Sequence, residues 1–313
     1  MKQTMKWSVV AIAATLSAAV VAQPTIDGTR DALYYGLIVE QNTQTGFGDS
    51  NLGQVDYANG SELDAAYSYA DMANQILYLF LAGNLESNFN KLEIFFDTVA
   101  GGQNRLRGDN SSVDFGGLNR MGDDGSGNGL TFDAGFEADY WIGITGGGNP
   151  YTLYANWAQL LTGGGGPGDY LGSTGAASDG TLSGGTNPYG IRVTINNSNT
   201  GGVGAGTGTV PPGVGAAVTT GVELAIPFAA IGITGATTIK VCVFINGAGH
   251  DFVSNQVLAG IGGGDNLGEP RNVNFGNIPG DQFFYVVVPE PASLLSLGAG
   301  LIGVLALRRR RRA

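Results

Sequence analysis

Cysteine is almost absent from this chain of 313 residues. Cys242 stands alone, so no intrachain disulfide can form. Histidine is as scarce, with His250 the single instance. The two shortages exclude zinc centres built from His and Cys, and a local Cys/His catalytic pair survives only if these two side chains meet. Charge is also thin: Asp, Glu, Lys and Arg make up 13% of the chain, about half the usual quarter. What charge there is has one sign. Residues 23–288 hold 8 basic against 25 acidic residues, hence −17. A body of that charge repels nucleic acid and anionic lipid and attracts divalent cations. No serine sits in a G-x-S-x-G elbow, and paired carboxylates carry little weight among so many acids, so the chain reads as non-catalytic.

Glycine, in contrast, is abundant, at 54 residues. It follows no G-X-Y period, which excludes collagen, and 43% hydrophobic residues are too many for a disordered chain. Strand patterns are frequent. Ile76–Leu81 is apolar on both faces, as in a strand covered on both sides. Over Lys91–Asp97, Leu92, Ile94 and Phe96 share one face, while Lys91, Glu93, Phe95 and Asp97 share the other. Leu130–Ile144 alternates over 15 residues and predicts one long strand, or two broken near Gly135. Tyr151–Leu161 follows as its antiparallel neighbour after a Gly146–Pro150 turn. Further strands are expected at 191–195, 222–226, 239–245 and 282–288. Two Gly/Ser/Thr/Asn-rich segments, 162–185 and 196–215, read as mobile loops. Many short strands between glycine-rich turns predict an all-β fold, an antiparallel, jelly-roll-like β-sandwich over residues 23–288.

Both ends read as processing signals. Residues 1–22 have Lys2 and Lys6, an apolar run from Val9 to Val21 and small residues before Gln23, the pattern of a signal peptide removed by signal peptidase. Residues 289–313 hold Pro289-Glu290-Pro291, an uncharged apolar stretch from Ala292 to Leu307, and five arginines, Arg308 to Arg312. A helix over the apolar stretch would span ~24 Å, enough to cross a membrane with snorkelling arginines, and the arginines would stay cytoplasmic. This tripartite end resembles the PEP-CTERM sorting signal of Gram-negative-type bacteria. The resemblance implies recognition of Pro289, Glu290 and Pro291 by an exosortase and cleavage nearby. The membrane helix is then discarded, and the protein goes to the cell envelope or exopolysaccharide matrix.

Three further stretches resemble carbohydrate-binding-module family 9-like (DOMON-like) sandwiches: Pro24-Thr-Ile-Asp-Gly-Thr-Arg-Asp31, the pair Leu77–Leu81 with Leu92–Asp97, and Val222-Glu-Leu-Ala-Ile-Pro-Phe-Ala-Ala-Ile-Gly232. In that family the ligands include sugars and, in relatives, haem. No Met/His pair for haem can be placed here.

Two candidate sites emerge. Asp124, Ser126 and Asn128 lie on alternate residues before Gly129, the front half of a calcium loop. Its twelfth position is Gly135, so Asp133 or Glu137 would have to complete it; the plainer reading is a turn opening a strand. Calcium is the one cofactor this suggests. The second candidate is a glycan platform. Trp141 would stack on a pyranose beside Glu137, Asp139 and Asp133, with Trp157, Tyr151 or Tyr154 lining the same groove. The plainer reading is a solvated acidic face. Cys242 reads as a buried small hydrophobe, and His250, in Asn246-Gly-Ala-Gly-His-Asp251, as an exposed loop residue. The expectation is a secreted, non-catalytic sandwich that binds polysaccharide. A self-associating matrix protein and, more weakly, a polysaccharide-active enzyme are the alternatives.

Overall fold

A computed structural model describes residues 22–47 and 60–290. The expected signal peptide (all but Ala22), Pro291, the sorting helix and the arginine run lie outside the described residues. The chain is all-β, with strands that pair antiparallel throughout. Thirteen strands are formed: β1 (Val39–Glu40), β2 (Glu62–Asp71), β3 (Ile76–Asn84), β4 (Asn88–Asp97), β5 (Tyr140–Gly147), β6 (Thr152–Gln159), β7 (Gly168–Gly175), β8 (Ser183–Gly184), β9 (Arg192–Ile195), β10 (Gly221–Pro227), β11 (Thr237–Asn246), β12 (Val253–Val257) and β13 (Phe284–Val288). They form a five-stranded sheet, β1-β2-β3-β10-β9, and an eight-stranded one, β12-β11-β4-β5-β6-β7-β8. β13 pairs with the first half of β11 beside β12.

The two sheets close on an apolar core set by alternation. Leu77, Leu79 and Leu81 of β3 meet Leu92, Ile94 and Phe96 of β4, with Ile142, Ile144 and Trp157 from β5 and β6. The outward residues of β3, Tyr78 and Phe80, pack beneath the N-terminal segment, with Ile26 and Tyr34. The double-sided apolar pattern of β3 therefore has its expected cause. The N-terminal turn is clasped from far along the chain. Glu223 of β10 accepts hydrogen bonds from the backbone of Asp27 and Gly28, each at 2.9 Å, and from the Tyr34 hydroxyl at 2.6 Å.

A second apolar layer lies on the outer face of the eight-stranded sheet. There Phe95, Trp141, Ala158, Cys242 and Phe244 are covered by Leu118, Met121, Phe132, Phe136 and Phe275 from long connections. This layer corrects the reading of Leu130–Ile144 as one long strand or two broken near Gly135. Only Tyr140 onward enters the sheet. Before it, Phe136 N donates to Asp133 O (3.1 Å) across a turn in which Gly135 takes φ +83°, a conformation glycine adopts without strain. Leu130, Phe132, Phe136 and Ala138 face the outer layer and not the inter-sheet core, while Ala134 is exposed. The segment 162–185 also differs from expectation, because it contains β7 and β8.

Candidate functional site

The polar face of β4 carries the chemistry. Lys91 and Glu93 point away from the inter-sheet core, opposite Thr145 and Gly143 of β5. Glu93 is fully buried, and three groups reach it. Trp141 Nε1 donates to Oε2 at 2.8 Å, and Asn246 Nδ2 to Oε1 at 3.2 Å. The third is His250, whose Nδ1 lies 2.7 Å from Oε1. The other ring nitrogen, Nε2, lies 2.8 Å from Asp114 Oδ2. Lys91 Nζ completes the chain, 3.1 Å from Asp114 and 2.8 Å from Thr145 Oγ1.

His250 is 2% exposed, which corrects its reading as an exposed loop residue. Gly117 makes the close packing possible, because a Cβ there would fall 2.1 Å from the imidazole. Burial alone would lower the His250 pKa, but the Glu93 and Asp114 carboxylates more than offset it and raise it to about 9. Burial also opposes ionisation of Asp114. The His250 hydrogen bond and charge, then Lys91, still hold its carboxyl below the usual range. The network is two acids and two cations, closed on itself.

Asp114 opens a short 3₁₀ turn, Asp114–Gly116, in which Asp114 (φ +47°) and Phe115 (φ +55°) both adopt left-handed backbone. The turn thrusts the Phe115 ring entirely into solvent, at 108% relative exposure. It stands as a ridge between two clefts. One, near 580 Å³, runs past His250, Asn119, Arg120 and Arg271. The other, near 750 Å³, is lined by Phe89, Phe115, Tyr154 and Tyr170 around Lys91, Thr145, Asn156, Asp169 and Ser112. Phe89 and Tyr170 are exposed and Tyr154 is half-buried. Tyr154 and Asn156 come from the outer face of β6 and Tyr170 from β7, whose register sets Asn156 opposite Tyr170. Four aromatic rings thus border a groove floored by amide, hydroxyl, ammonium and carboxylate groups. Such a groove can stack apolar ring faces and hydrogen-bond the hydroxyls around them.

The residues expected to form a platform lie elsewhere. Trp141 and Trp157 are 0% and 1% exposed, on opposite faces of the sheet. Trp157 Nε1 is bonded to Ala230 O (2.8 Å), so neither indole offers a face to a sugar. Asp139 is buried and accepts from the backbone of Thr98 and Val99; burial raises its pKa to about 6 against those bonds. Glu137 is exposed and apart from the groove. Of the proposed lining residues, Tyr154 is in the groove, with Phe89, Phe115 and Tyr170 as partners that sequence reasoning missed.

The expected calcium loop is a set of Asx turns. Gly125 N and Gly127 N donate to Asp123 Oδ1, Ser126 N to Asp124 Oδ1, and Asp124 N to Asn128 Oδ1. Arg271 reaches Asp124 at 3.4 Å and Arg105 reaches Asp123 at 3.9 Å. Asp133 is not part of this loop's bonding: its Oδ2 accepts from Gln282 N at 2.6 Å. Among the described residues, no three His, Cys, Asp or Glu side chains converge as metal ligands.

Fold and groove together define an all-β sandwich with a ligand-sized aromatic cleft. Residues 287–311 match the model of the PEP-CTERM protein-sorting motif. The motif marks the chain as an exosortase-sorted, secreted protein associated with the cell envelope. The match begins inside β13, at Val287, and Glu290 is the last described residue. Among the described residues no helix is long and apolar enough to cross a membrane. No curated protein and no solved structure matches the chain.

Proposed function

We propose that this protein is a non-catalytic polysaccharide-binding component of the envelope or extracellular matrix, and that it grips its glycan in the groove of Phe89, Phe115, Tyr154 and Tyr170. The observation that carries this reading is the set of exposed rings around buried hydrogen-bonding groups. A ring exposed to water without a structural partner is stabilised by what it stacks on in the complex. The charge of −17 over residues 23–288 favours a neutral glycan over a polyanionic one. The non-catalytic reading is supported by His250: with both nitrogens held by carboxylates, it has no site to take a proton from a substrate. Signal peptidase and exosortase would process the two ends, with the C-terminal segment holding the precursor in the membrane until cleavage.

Affinity electrophoresis in neutral and uronic polysaccharides tests the groove. Wild-type protein is retarded by a neutral polymer, and Phe115→Ala with Tyr170→Ala removes the retardation. Equal retardation of that double variant overturns the groove assignment. Deleting the exosortase should leave uncleaved protein in the membrane; release at normal size would overturn the processing scheme. A second reading, self-association, is favoured by β13. Among the described residues this strand pairs with β11 alone, and it exposes Tyr285 and Val287. Concentration-dependent sedimentation without glycan affinity would select it.

A further inference from the structure

A different pair of acids lies on the five-stranded sheet. Glu62 and Asp64, two residues apart at the start of β2, are both 0% exposed. The register of β2 slips between Leu63 and Ala65, so Asp64 sits at the irregularity and has no partner residue on β3. The segment 199–204 closes over both. Asn199 Nδ2 donates to Glu62 Oε1 (2.8 Å), Gly204 N to Glu62 Oε2 (3.2 Å) and Val203 N to Asp64 Oδ1 (2.8 Å). No described ion pair includes either acid.

Two buried acceptors there are left without any hydrogen bond among the described residues. One is Asp64 Oδ2. The other is Oδ1 of Asn84, the residue directly opposite Glu62 on β3, whose Nδ2 donates to Asn199 O (3.1 Å). A buried carboxylate oxygen with no donor is costly, and a second carboxylate two residues away adds repulsion. Hard oxygen ligands gathered without a counter-charge are what a divalent cation of the calcium class takes.

We propose that Glu62 and Asp64, with Asn84 Oδ1, form a calcium-class cation site that ties the 199–204 segment to β2. The site is separate from the groove and does not rest on glycan binding. Burial raises the Glu62 pKa to about 8 against its two hydrogen bonds, and burial with the Glu62 charge raises Asp64 well above its ordinary value.

The test uses the full chain in detergent, with Ca²⁺ alone as the probe. Thermal unfolding is compared in EDTA and in about 10 mM Ca²⁺, which exceeds the Kd range of extracellular calcium modules. The melting temperature should rise by on the order of 5 °C. Isothermal titration calorimetry with Ca²⁺ should show saturable binding at one site per chain. Asp64→Asn and Glu62→Gln should each abolish the response, and Asp124→Asn should keep it. An unchanged melting temperature, no saturable Ca²⁺ binding, or a response lost only in Asp124→Asn would each overturn the site. Should either acid variant fail to fold, Asn84→Ala, which keeps both carboxylates and removes the third oxygen, should weaken Ca²⁺ binding, and unchanged binding would overturn the site.

Discussion

Two clusters of buried carboxylates, one on each sheet, solve the same electrostatic problem in opposite ways. On the eight-stranded sheet, Glu93 and Asp114 are matched by His250 and Lys91, with contacts of 2.7–3.1 Å. On the five-stranded sheet, Glu62 and Asp64 have only amide donors, and one oxygen of Asp64 has none. The first cluster is complete within the protein and serves to hold the turn that presents Phe115. The second is complete only with protons or with a cation from outside. Burial is close in the two, with Glu62, Asp64 and Glu93 fully buried and the Asp114 side chain 7% exposed; what differs is whether the sequence supplies the counter-charge.

The sharpest way to break the comparison is to open the matched cluster. His250→Ala leaves Glu93 and Asp114 buried with Lys91 as the sole cation. Removing one partner of a buried ion network costs on the order of 3–5 kcal/mol. Urea unfolding near pH 7 measures it; a loss under about 1 kcal/mol would mean that the network contributes little. Next in size is pH. The His250 pKa is raised from 6.5 to about 9, so the folded state binds the proton more tightly. Its contribution is complete below about pH 6.5 and disappears as pH rises through about 9, a loss of about 3 kcal/mol. Glu62→Gln is the right background, because a raised carboxyl pKa also lowers stability with rising pH, in its case between 4.5 and about 8. Urea midpoints across that range should fall mainly above pH 6.5.

Legibility in the sequence followed the same division. β3 and β4 were readable because their burial is dictated by neighbours in the same short stretch, apolar on both faces or on alternate residues. β2 was not: Glu62-Leu-Asp-Ala-Ala-Tyr-Ser-Tyr-Ala-Asp71 carries acids that are buried by β3 and by the distant 199–204 segment. Period two over Leu130–Ile144 misreported both burial and pairing: Ala134 is exposed, Asp133, Asp139 and Trp141 are buried, and the apolar set passes from the outer layer to the inter-sheet core between Ala138 and Tyr140. Trp141 was misplaced because its cover, Leu118, Met121 and Phe275, comes from remote segments. The groove needs the β6–β7 register and a left-handed turn at Phe115, and only Tyr154 could be anticipated. His250 had one available signal, the acid Glu93 within the apolar run Leu92–Phe96, a position that calls for a cation from elsewhere.

One substitution type sharpens the contrast by changing sign. Asp114→Asn removes a carboxylate that two cations hold and should destabilise. Asp64→Asn removes one that no cation holds and keeps an oxygen for Val203 N. In EDTA near pH 9, where the Glu62–Asp64 pair is forced towards ionisation, Asp64→Asn should stabilise by about 1 kcal/mol. Equal losses for the two variants in urea would show that the absent counter-charge is of no consequence.

The smallest expected effect falls on Phe115. Its ring touches solvent on all sides, and the turn beneath it is held by Asp114 through His250 and Lys91. Phe115→Ala therefore removes no core packing and should change stability by less than about 0.5 kcal/mol, as for an ordinary surface position. A left-handed φ disfavours alanine and phenylalanine alike, so the backbone strain at +55° is unaltered. Glycan affinity should nevertheless drop about tenfold, the worth of one stacked ring at roughly 1.4 kcal/mol. Circular dichroism melts and affinity electrophoresis of the same preparation separate the two quantities. A destabilised Phe115→Ala would mean that the ring is a structural element of the turn, and intact affinity would mean that the glycan lies elsewhere.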